Sequence, residues 1–328
     1  MKKTRDNWVD AVKVFACILV ASGHFFQGVC TSGILDATPV YQWFNRTIYY
    51  FHVPLFFICS GYIYQKYSKV NSLSSWTTNV VKKFVVLGVP YATFTLITWV
   101  LKSVFSGSVN TEVGNLGYAL FVYPMSPYWY LFALFFIFLI TPTFASRIAC
   151  SIGIAASLLL KCLSGKVACY TLTIVIGNQL WFVMGMALCV FNFPATAKKC
   201  LPIGALMAGG FLILSFATPA VAKDTELFEV FMGILACTAV ILIFSHWTDR
   251  PNMLAAYTMP IFLMHTIFAA GVRAVLLKVG ITGVAIHVVI GLAVSFLGPI
   301  MAAELMRRTK LDFLLYPAKY MRGNKCRK

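Results

Sequence analysis

The sequence has few charged residues, and acidic residues are the scarcest of them. Only 11% of its 328 residues are charged, and Asp and Glu together number 10. A soluble surface needs roughly a quarter to a third of its residues charged, so this composition excludes an ordinary soluble protein. Because 60% of the residues are hydrophobic, the chain is not intrinsically disordered either.

Several sequence signatures are missing as well. The ten cysteines include no Cys-x-x-Cys pair and lie mostly within apolar runs, so the sequence predicts neither a disulfide framework nor a metal site. It contains no Walker loop, no Gly-x-Gly-x-x-Gly and no repeat of roughly 20–50 residues. What is present is a series of continuous apolar segments, which favours a helical membrane protein over a β-barrel with its alternating pattern.

Ten segments are candidates for membrane-spanning helices, which need about 20 apolar residues each. The sequence therefore predicts an all-α, polytopic membrane bundle of about ten helices. The predicted spans are 9–29, 47–65, 83–102, 128–145, 147–163, 168–192, 201–218, 227–246, 256–277 and 281–306. The sixth contains Gly177-Asn178-Gln179 and is interpreted as one span rather than two.

The placement of basic residues predicts the topology. With a cytoplasmic N-terminus, 19 of the 27 Lys and Arg residues fall in cytoplasmic segments, six in outer segments, and Lys13 and Arg273 inside spans. This bias follows the positive-inside rule, and an even number of spans places both termini in the cytoplasm. The net charge of +17 therefore does not indicate a nucleic-acid partner, and the basic tail 307–328 is interpreted as an interfacial segment on anionic lipid.

The first span contains three ionisable residues, although a charge at the bilayer centre costs at least ~2.5–3.5 kcal/mol. Lys13 and His24 are eleven residues apart, which places them on one helix face about 16 Å apart along the axis. Asp10 lies close to the same line and is positioned to pair with Lys13. An imidazole on such a face can serve as a general base for a hydroxyl. The alternative is that Asp10 and Lys13 are interfacial residues extending towards water.

The second span, which contains FHVPLFFICSGY, supplies three further candidates. His52 precedes Pro54, where a bend is expected, and Ser60 and Tyr62 place two hydroxyls beside Gly61, where another backbone could approach closely. These three residues are candidates for substrate binding. The alternative for His52 is an interfacial histidine with its polar tip in water.

The ninth span contains His265 and Arg273, which are eight residues and about 12 Å apart along a helix. Both are candidates for substrate binding, and Pro260 is expected to bend this helix. The alternative for Arg273 is a cation at the outer edge that reaches water. Trp129, in the run Tyr-Trp-Tyr-Leu, is typical of an aromatic belt and is the weaker candidate.

Two functional classes fit intramembrane Asp, Lys and His residues. One is an enzyme that uses His24 for proton transfer, and the other is a proton-coupled transporter or permease of a small substrate. The absence of an internal inverted repeat disfavours the transporter. A purely structural subunit would leave the charges of the first span without a purpose.

At these residues the chain resembles the membrane acyltransferase-3 family, which includes bacterial O-acetyltransferases of surface sugars such as fucose 4-O-acetylase-like members. Lys13-x10-His24 matches the family's first-helix motif, and Asp10 takes the acidic place before it. The segments that resemble the second helix, the sixth helix and the late Leu-x-His segment are FHVPLFFICSGY (51–62), LWFVMGM (180–186) and MPIFLMHT (259–266). The resemblance implies one acyltransferase domain over 1–306, followed by the tail.

The resemblance also implies a function. It implies a multi-pass enzyme of the bacterial cytoplasmic membrane that transfers an acetyl or other acyl group from acyl-CoA, without a metal, to a hydroxyl of a cell-surface or lipid-linked carbohydrate. His24 would act as catalytic base or acyl carrier, with Lys13 and Asp10 assisting.

The chain departs from the family at the residues expected to meet coenzyme A. Many members carry an Arg-x-x-Arg motif just before a Pro-Tyr of the third helix, and these two arginines are expected to meet coenzyme A. Here KKFVVLGVPY (82–91) offers Lys82 and Lys83 but has Val86 at the second position. Lysine neutralises phosphate without the bidentate geometry of arginine, so the resemblance implies a cofactor grip built from Lys13, Lys82 and Lys83.

Overall fold

The computed structural model describes residues 6–68, 70–106, 114–193, 200–218, 225–246 and 252–323. Within these residues the chain forms thirteen α-helices and two short 3-10 helices, at Met253–Tyr257 and Leu311–Leu314, and no strand. The α-helices are α1 (Asn7–Thr31), α2 (Pro39–Tyr49), α3 (His52–Tyr67), α4 (Leu73–Val104), α5 (Leu116–Phe121), α6 (Trp129–Ile140), α7 (Arg147–Ser164), α8 (Tyr170–Val190), α9 (Leu201–Ala217), α10 (Glu226–His246), α11 (Thr258–Lys278), α12 (Val284–Arg308) and α13 (Pro317–Gly323).

Seven helices in the described part are long and apolar enough to cross a membrane, judged by length and composition. They are α1, α4, α7, α8, α10, α11 together with the preceding 3-10 turn, and α12. The helices α6 and α9 are apolar but shorter, with 12 and 17 residues. The prediction of an all-helical protein with several membrane-spanning helices is confirmed, whereas seven helices rather than ten meet this criterion.

The second predicted span is not a single helix. The chain leaves α2 at Tyr49, turns through Tyr50 and Phe51, and starts α3 at His52. Pro54 is the third residue of α3, in the first turn, where a proline costs no intrahelical hydrogen bond. The prediction of one continuous helix over 47–65 is therefore wrong, because α2 ends at Tyr49 and α3 begins at His52.

The fourth predicted span ends earlier than expected. Helix α6 stops at Ile140, and Thr141 adopts an extended conformation directly before Pro142. A residue that precedes proline is driven out of the helical region by contact with the proline ring. The twelve residues of α6 extend only about 18 Å, which is short of the ~30 Å of a bilayer core.

Two other expectations are settled by the helix boundaries. Helix α8 runs without a break through Gly177-Asn178-Gln179, and the Asn178 side chain donates to the carbonyl of Ile174 at 2.7 Å, so the interpretation as one segment is confirmed. The bend expected at Pro260 is not required by the helix boundaries. A 3-10 helix precedes Thr258, and Pro260 is in the first turn of α11, where proline fits without a kink.

The chain divides into two compact units. The first contains Met1–Val20, Ala37–Lys69 and Thr143–Ala256, hence the first part of α1 together with α2, α3 and α7 to α10. In this unit α3 and α8 cross with their backbones in contact. A Cβ atom added to Gly61 would overlap the carbonyl oxygen of Phe182, and one added to Gly185 would overlap that of Ile58. Glycine at both positions is what permits this approach.

The second unit contains Ala21–Asp36, Val70–Pro142 and Tyr257–Lys328. It includes the remainder of α1 with α4, α5, α6, α11, α12 and α13. Helix α12 packs against two neighbours through small residues, because the ring of Phe25 on α1 fills the space beside Gly291 and that of Phe268 on α11 fills the space beside Gly298.

The described part of the basic tail is held by the protein itself. Lys319 donates to the carboxylate of Asp312 at 3.0 Å, and the Tyr320 hydroxyl donates to the same group. The hydrogen bonds from Tyr320 and Lys319 lower the pKa of Asp312, which is buried. Helix α13 packs against α4 and the second 3-10 helix. This part of the tail is therefore a packed element of the second unit rather than a segment held by lipid alone.

Candidate active site

Two histidines from distant parts of the sequence face each other in the second unit. The ring centroids of His24 on α1 and His265 on α11 are 5.4 Å apart, and the ring planes are inclined by 35°. His265 is 1% exposed, whereas His24 is half-buried and forms a side-chain hydrogen bond with Gln27. The structure thus brings together two of the candidates that the sequence analysis selected on separate helices.

Backbone contacts fix the role of each ring nitrogen of His265. Nδ1 lies 2.8 Å from the carbonyl oxygen of Ile261 and 3.0 Å from that of Phe262. Because carbonyl oxygens only accept hydrogen bonds, Nδ1 carries the hydrogen and donates it. The neutral ring then has its lone pair on Nε2, which is buried and has no hydrogen-bond partner among the described residues. Buried polar atoms are nearly always paired, so Nε2 is an open acceptor at this site.

A buried tyrosine, which the sequence analysis missed, holds α11 close to this histidine. The hydroxyl of Tyr128 donates to the carbonyl oxygen of Leu263 at 3.0 Å and lies 2.7 Å from the hydroxyl of Thr98. Tyr128 is fully buried. Its hydroxyl therefore connects the start of α6 and the far end of α4 to α11 at a point two residues before His265. The only sequence signal was its place in the aromatic run that led to Trp129.

Trp129 is less directly involved than its neighbour. It is the first residue of α6 and is half-buried, while the tyrosine on its other side, Tyr130, packs edge-on against Phe262 with ring centroids 5.5 Å apart. The structure brings this segment up to α11, but the hydrogen bond to α11 near His265 comes from Tyr128, at the carbonyl oxygen of Leu263.

Arg273 approaches the same helix as the two imidazoles. A Cβ atom added to Gly28 would lie 2.8 Å from Nη1 of Arg273. Gly28 lies about one turn beyond His24 on α1, and Arg273 lies about two turns beyond His265 on α11. The two helices therefore run in the same direction here, and the guanidinium group is directed at α1. Sequence reasoning did not single out Gly28, whose signal is its position one turn after His24.

Asp10 and Lys13 lie in the first unit, beside a cysteine that sequence reasoning had treated only as a hydrophobic residue. The thiol of Cys59 on α3 is fully buried, and its Sγ lies 4.0 Å from the carbonyl oxygen of Val9, the residue before Asp10. The ion pair between Asp10 and Lys13 stays a prediction. Helix α1 is continuous, so Lys13 remains about 16 Å from His24 along its axis.

His52 occupies the junction between α2 and α3. Its Nδ1 donates to the carbonyl oxygen of Ile48 at 2.5 Å, and the ring of Tyr49 packs against it edge-on at 4.7 Å. The side chain is 2% exposed, so the interpretation as a histidine with its tip in water is wrong. Its contacts belong to the helix junction in the first unit.

Tyr62 belongs to a polar cluster at the end of α3, while Ser60, two residues earlier, is half-buried. The Tyr62 hydroxyl donates to Asp6 at 3.4 Å and accepts from Lys66 at 3.2 Å, and Lys66 forms an ion pair with Asp6 at 2.5 Å. Tyr67 donates to the same carboxylate at 2.7 Å. These contacts tie the start of α1 to the end of α3, which gives Tyr62 a structural role.

Lys82 and Lys83 lie on α4 in the second unit. Lys82 is exposed, and Nζ of Lys83 lies 3.6 Å from the ring centroid of Phe138 on α6. Fifteen residues of α4 separate Lys83 from Thr98, which is a distance of about 22 Å along the axis. Because Thr98 reaches the tyrosine beside His265, the two lysines are displaced from the histidine pair by most of the thickness of a membrane core.

Within the described residues, no group of three or more His, Cys, Asp and Glu side chains is arranged to hold a metal ion.

The chain matches the profile of a known protein family over nearly its whole length. The profile is that of the acyltransferase-3 family, described as an acyltransferase domain, and it covers residues 6–304. That range contains the histidine pair and all other candidate site residues. No curated protein and no solved structure matches the chain. The chain therefore belongs to the acyltransferase-3 family.

Proposed function

We propose that the protein is a membrane O-acyltransferase that moves an acetyl group from acetyl-CoA to a hydroxyl of a cell-surface or lipid-linked carbohydrate. The observation that carries the proposal is the pair of imidazoles from α1 and α11, 5.4 Å apart, with a buried and unpartnered acceptor at Nε2 of His265. A transfer to a hydroxyl needs a base for its proton, and this pair supplies one within an acyltransferase domain.

In the simplest form of the reaction, His24 removes the proton from the acceptor hydroxyl. The oxygen attacks the thioester carbonyl, the C–S bond breaks, and the proton passes to the departing thiolate, so that CoA leaves as a thiol. In the second form a nitrogen of His24 attacks the thioester carbonyl, the C–S bond breaks and CoA leaves as its thiolate. The hydroxyl then attacks the acyl group on His24, the C–N bond breaks, and the hydroxyl proton passes to the thiolate. In both forms, Nε2 of His265 is an acceptor close to the ring whose protonation changes.

Lys13, Lys82 and Lys83 are proposed to bind the phosphates of CoA, on the basis of their charge and of their distance from His24 along the helix axes. Lys13 precedes His24 by about 16 Å along α1, and Lys83 and its neighbour Lys82 lie more than 20 Å from the histidine level along α4. With a cytoplasmic N-terminus, these cations lie towards the side where acyl-CoA is available. The thioester would then extend inwards to His24, and the carbohydrate would enter from the outer side.

The proposal predicts that His24→Ala abolishes acetyl transfer and leaves folding intact, because a general base contributes about 10²–10⁴-fold. The measurement uses purified protein in proteoliposomes with radiolabelled acetyl-CoA and the membrane glycans of a deletion strain, with intact-glycan mass spectrometry to locate the added acetyl group. The control is His246→Ala, which removes an exposed histidine at the end of α10. Full activity of a well-folded His24→Ala protein would overturn the scheme.

The same proteoliposomes separate the enzyme from a proton-coupled permease. Covalent label on a glycan supports acyl transfer. Uptake of a labelled small substrate driven by a proton gradient, without any acylated product, would instead favour the transporter.

A further inference from the structure

Arg273 is placed as a cation beside the proposed reaction centre, although the mechanism above does not use it. Its Nη1 lies close enough to α1 that a Cβ atom at Gly28 would be 2.8 Å away. The guanidinium group is therefore directed at the helix that carries His24, and the missing side chain of Gly28 leaves room for it. A cation that simply extended to the bilayer surface would not need this gap.

The order of the contacts along the two helices fixes the side on which Arg273 lies. His24 on α1 faces His265 on α11. Gly28, four residues after His24, faces Arg273, which is eight residues after His265. The backbone of Gly28 is thus about 6 Å beyond that of His24 along α1, and the backbone of Arg273 is about 12 Å beyond that of His265 along α11. Lys13 precedes His24 on α1, so Arg273 lies on the opposite side of the pair from Lys13 along this helix.

The protein supplies no anion for this cation in its described part. Arg273 is half-buried and takes part in none of the described ion pairs or side-chain hydrogen bonds. In the second unit, Glu304 is engaged by Arg307 and Arg308, Asp312 is engaged by Lys319, and Asp36 is exposed and takes part in none of the described ion pairs. Charged groups within a membrane helix usually pair or mark a substrate pathway, so the arrangement calls for an anion from outside the chain.

We propose that Arg273, seated against Gly28, binds an oxyanion of the acceptor, so that the acceptor is an acidic carbohydrate carrying a carboxylate or a phosphate close to the acylated hydroxyl. This inference rests on the proposed function, because it identifies the class of its acceptor. A guanidinium group binds either oxyanion through paired, charge-assisted hydrogen bonds. Binding the anion on the far side of the histidine pair would hold the acceptor hydroxyl at His24 while the donor occupies the opposite side.

The test measures binding without turnover. Purified protein is placed in nanodiscs of phosphatidylcholine at low salt, and dissociation constants are measured for methyl glucuronide, glucose 6-phosphate and the neutral methyl glucoside. The anionic sugars should bind about tenfold to a hundredfold more tightly than methyl glucoside. Arg273→Gln should reduce that preference to about one. Lys278→Gln is the matched control, because it removes an exposed cation at the end of the same helix, and should preserve the preference.

A second variant tests the space beside Gly28 rather than the charge of Arg273. Gly28→Ala keeps the guanidinium group but places a methyl group against its end, so the preference for the anionic sugars should fall without a change in net charge. An equal affinity for the three sugars in the wild type, or an unchanged preference in Arg273→Gln, would overturn the proposal.

Anionic lipid is the other source of the same chemistry. If a headgroup is the partner of Arg273, the wild type should melt at a higher temperature in phosphatidylglycerol than in phosphatidylcholine, and Arg273→Gln should lose that difference. The protein should then bind the anionic sugars no more tightly than methyl glucoside. That outcome also overturns the proposal. Because no acetyl-CoA is present, a failure of acetyl transfer would contradict the proposed function while leaving the anion preference measurable.

Discussion

At the residue scale, the two nitrogens of His265 have different tasks. Nδ1 is committed to the backbone of its own helix, where it donates to the carbonyl oxygens of Ile261 and Phe262. Nε2 is buried and unpartnered among the described residues, and the ring of His24 is its neighbour. One nitrogen therefore orients the ring, and the other is available for chemistry.

This division predicts the effect of His265→Asn. The amide N–H of asparagine takes the place of Nδ1–H and can keep the bond to Ile261, whereas the acceptor at Nε2 is lost. Acetyl transfer should fall by at least about 10²-fold, within the range for a group that handles a proton, while the melting temperature stays close to that of the wild type. The measurement is initial rate with labelled acetyl-CoA, together with thermal unfolding in nanodiscs.

Comparison with His265→Gln checks the assignment of the two nitrogens. Glutamine extends towards the position of Nε2 and does not reproduce the bond from Nδ1, so this variant should be less stable than the asparagine one. If His265→Asn retains wild-type activity, Nε2 has no part in the reaction.

The site was only partly predictable at this scale. The positions of Lys13 and His24 follow from the helical period, because residues on one helix keep a fixed angle and rise. The contact of His24 with His265 joins α1 to α11 across most of the sequence, and no local spacing encodes which helices pack together. The approach of Arg273 to Gly28 was missed for the same reason.

At the element scale, the crossing of α3 and α8 is the tightest feature of the first unit. Gly61 and Gly185 each lie against a carbonyl oxygen of the opposite helix. Helices in lipid gain little from hydrophobic burial against each other, so close packing through small residues is a main source of their association. These two glycines therefore determine the separation of the helices that carry the second-helix and sixth-helix segments.

Gly185→Ala is predicted to destabilise the protein by about 1–3 kcal/mol, as expected when an overpacked site forces backbone to move. The matched control is Gly88→Ala in the interior of α4, where nothing lies within 4 Å of an added Cβ atom. Alanine there should stabilise the helix by about 0.5–1 kcal/mol. Thermal unfolding of both variants in nanodiscs makes the comparison, and equal melting temperatures would contradict the backbone contact.

The helices themselves were predictable, but their ends were less so. The break at Tyr50 and Phe51 was hidden because both residues are apolar aromatics, and hydropathy cannot distinguish an apolar turn from an apolar helix. The end of α6 before Pro142 was also missed, because the apolar residues continue beyond it and extended the predicted span. In both cases a proline lies within three residues of the boundary, but α4 and α12 continue through Pro90 and Pro299, so a proline alone does not locate a helix end.

At the scale of the whole molecule, the scarcity of acidic residues makes the distribution of basic ones informative. Of 27 Lys and Arg residues, 19 fall in the segments assigned to the cytoplasm. The ten predicted spans include the seven helices that are long enough to cross a membrane. Three shorter helices of the described part, α3, α6 and α9, have to be added to these seven to reach the even number of ten.

The topology prediction is that both termini are cytoplasmic. A green fluorescent protein fused to either end should fluoresce, and alkaline phosphatase fused to the same ends should be inactive, because each reporter matures on only one side of the membrane. Phosphatase inserted after Ser106, in the segment between the third and fourth predicted spans, is the matched positive control and should be active. Phosphatase activity at one terminus alone would mean an odd number of crossings. It would also place part of the basic excess on the outer face, against the positive-inside rule, and would reverse the assignment of Lys13 or the tail to the side where acyl-CoA is available.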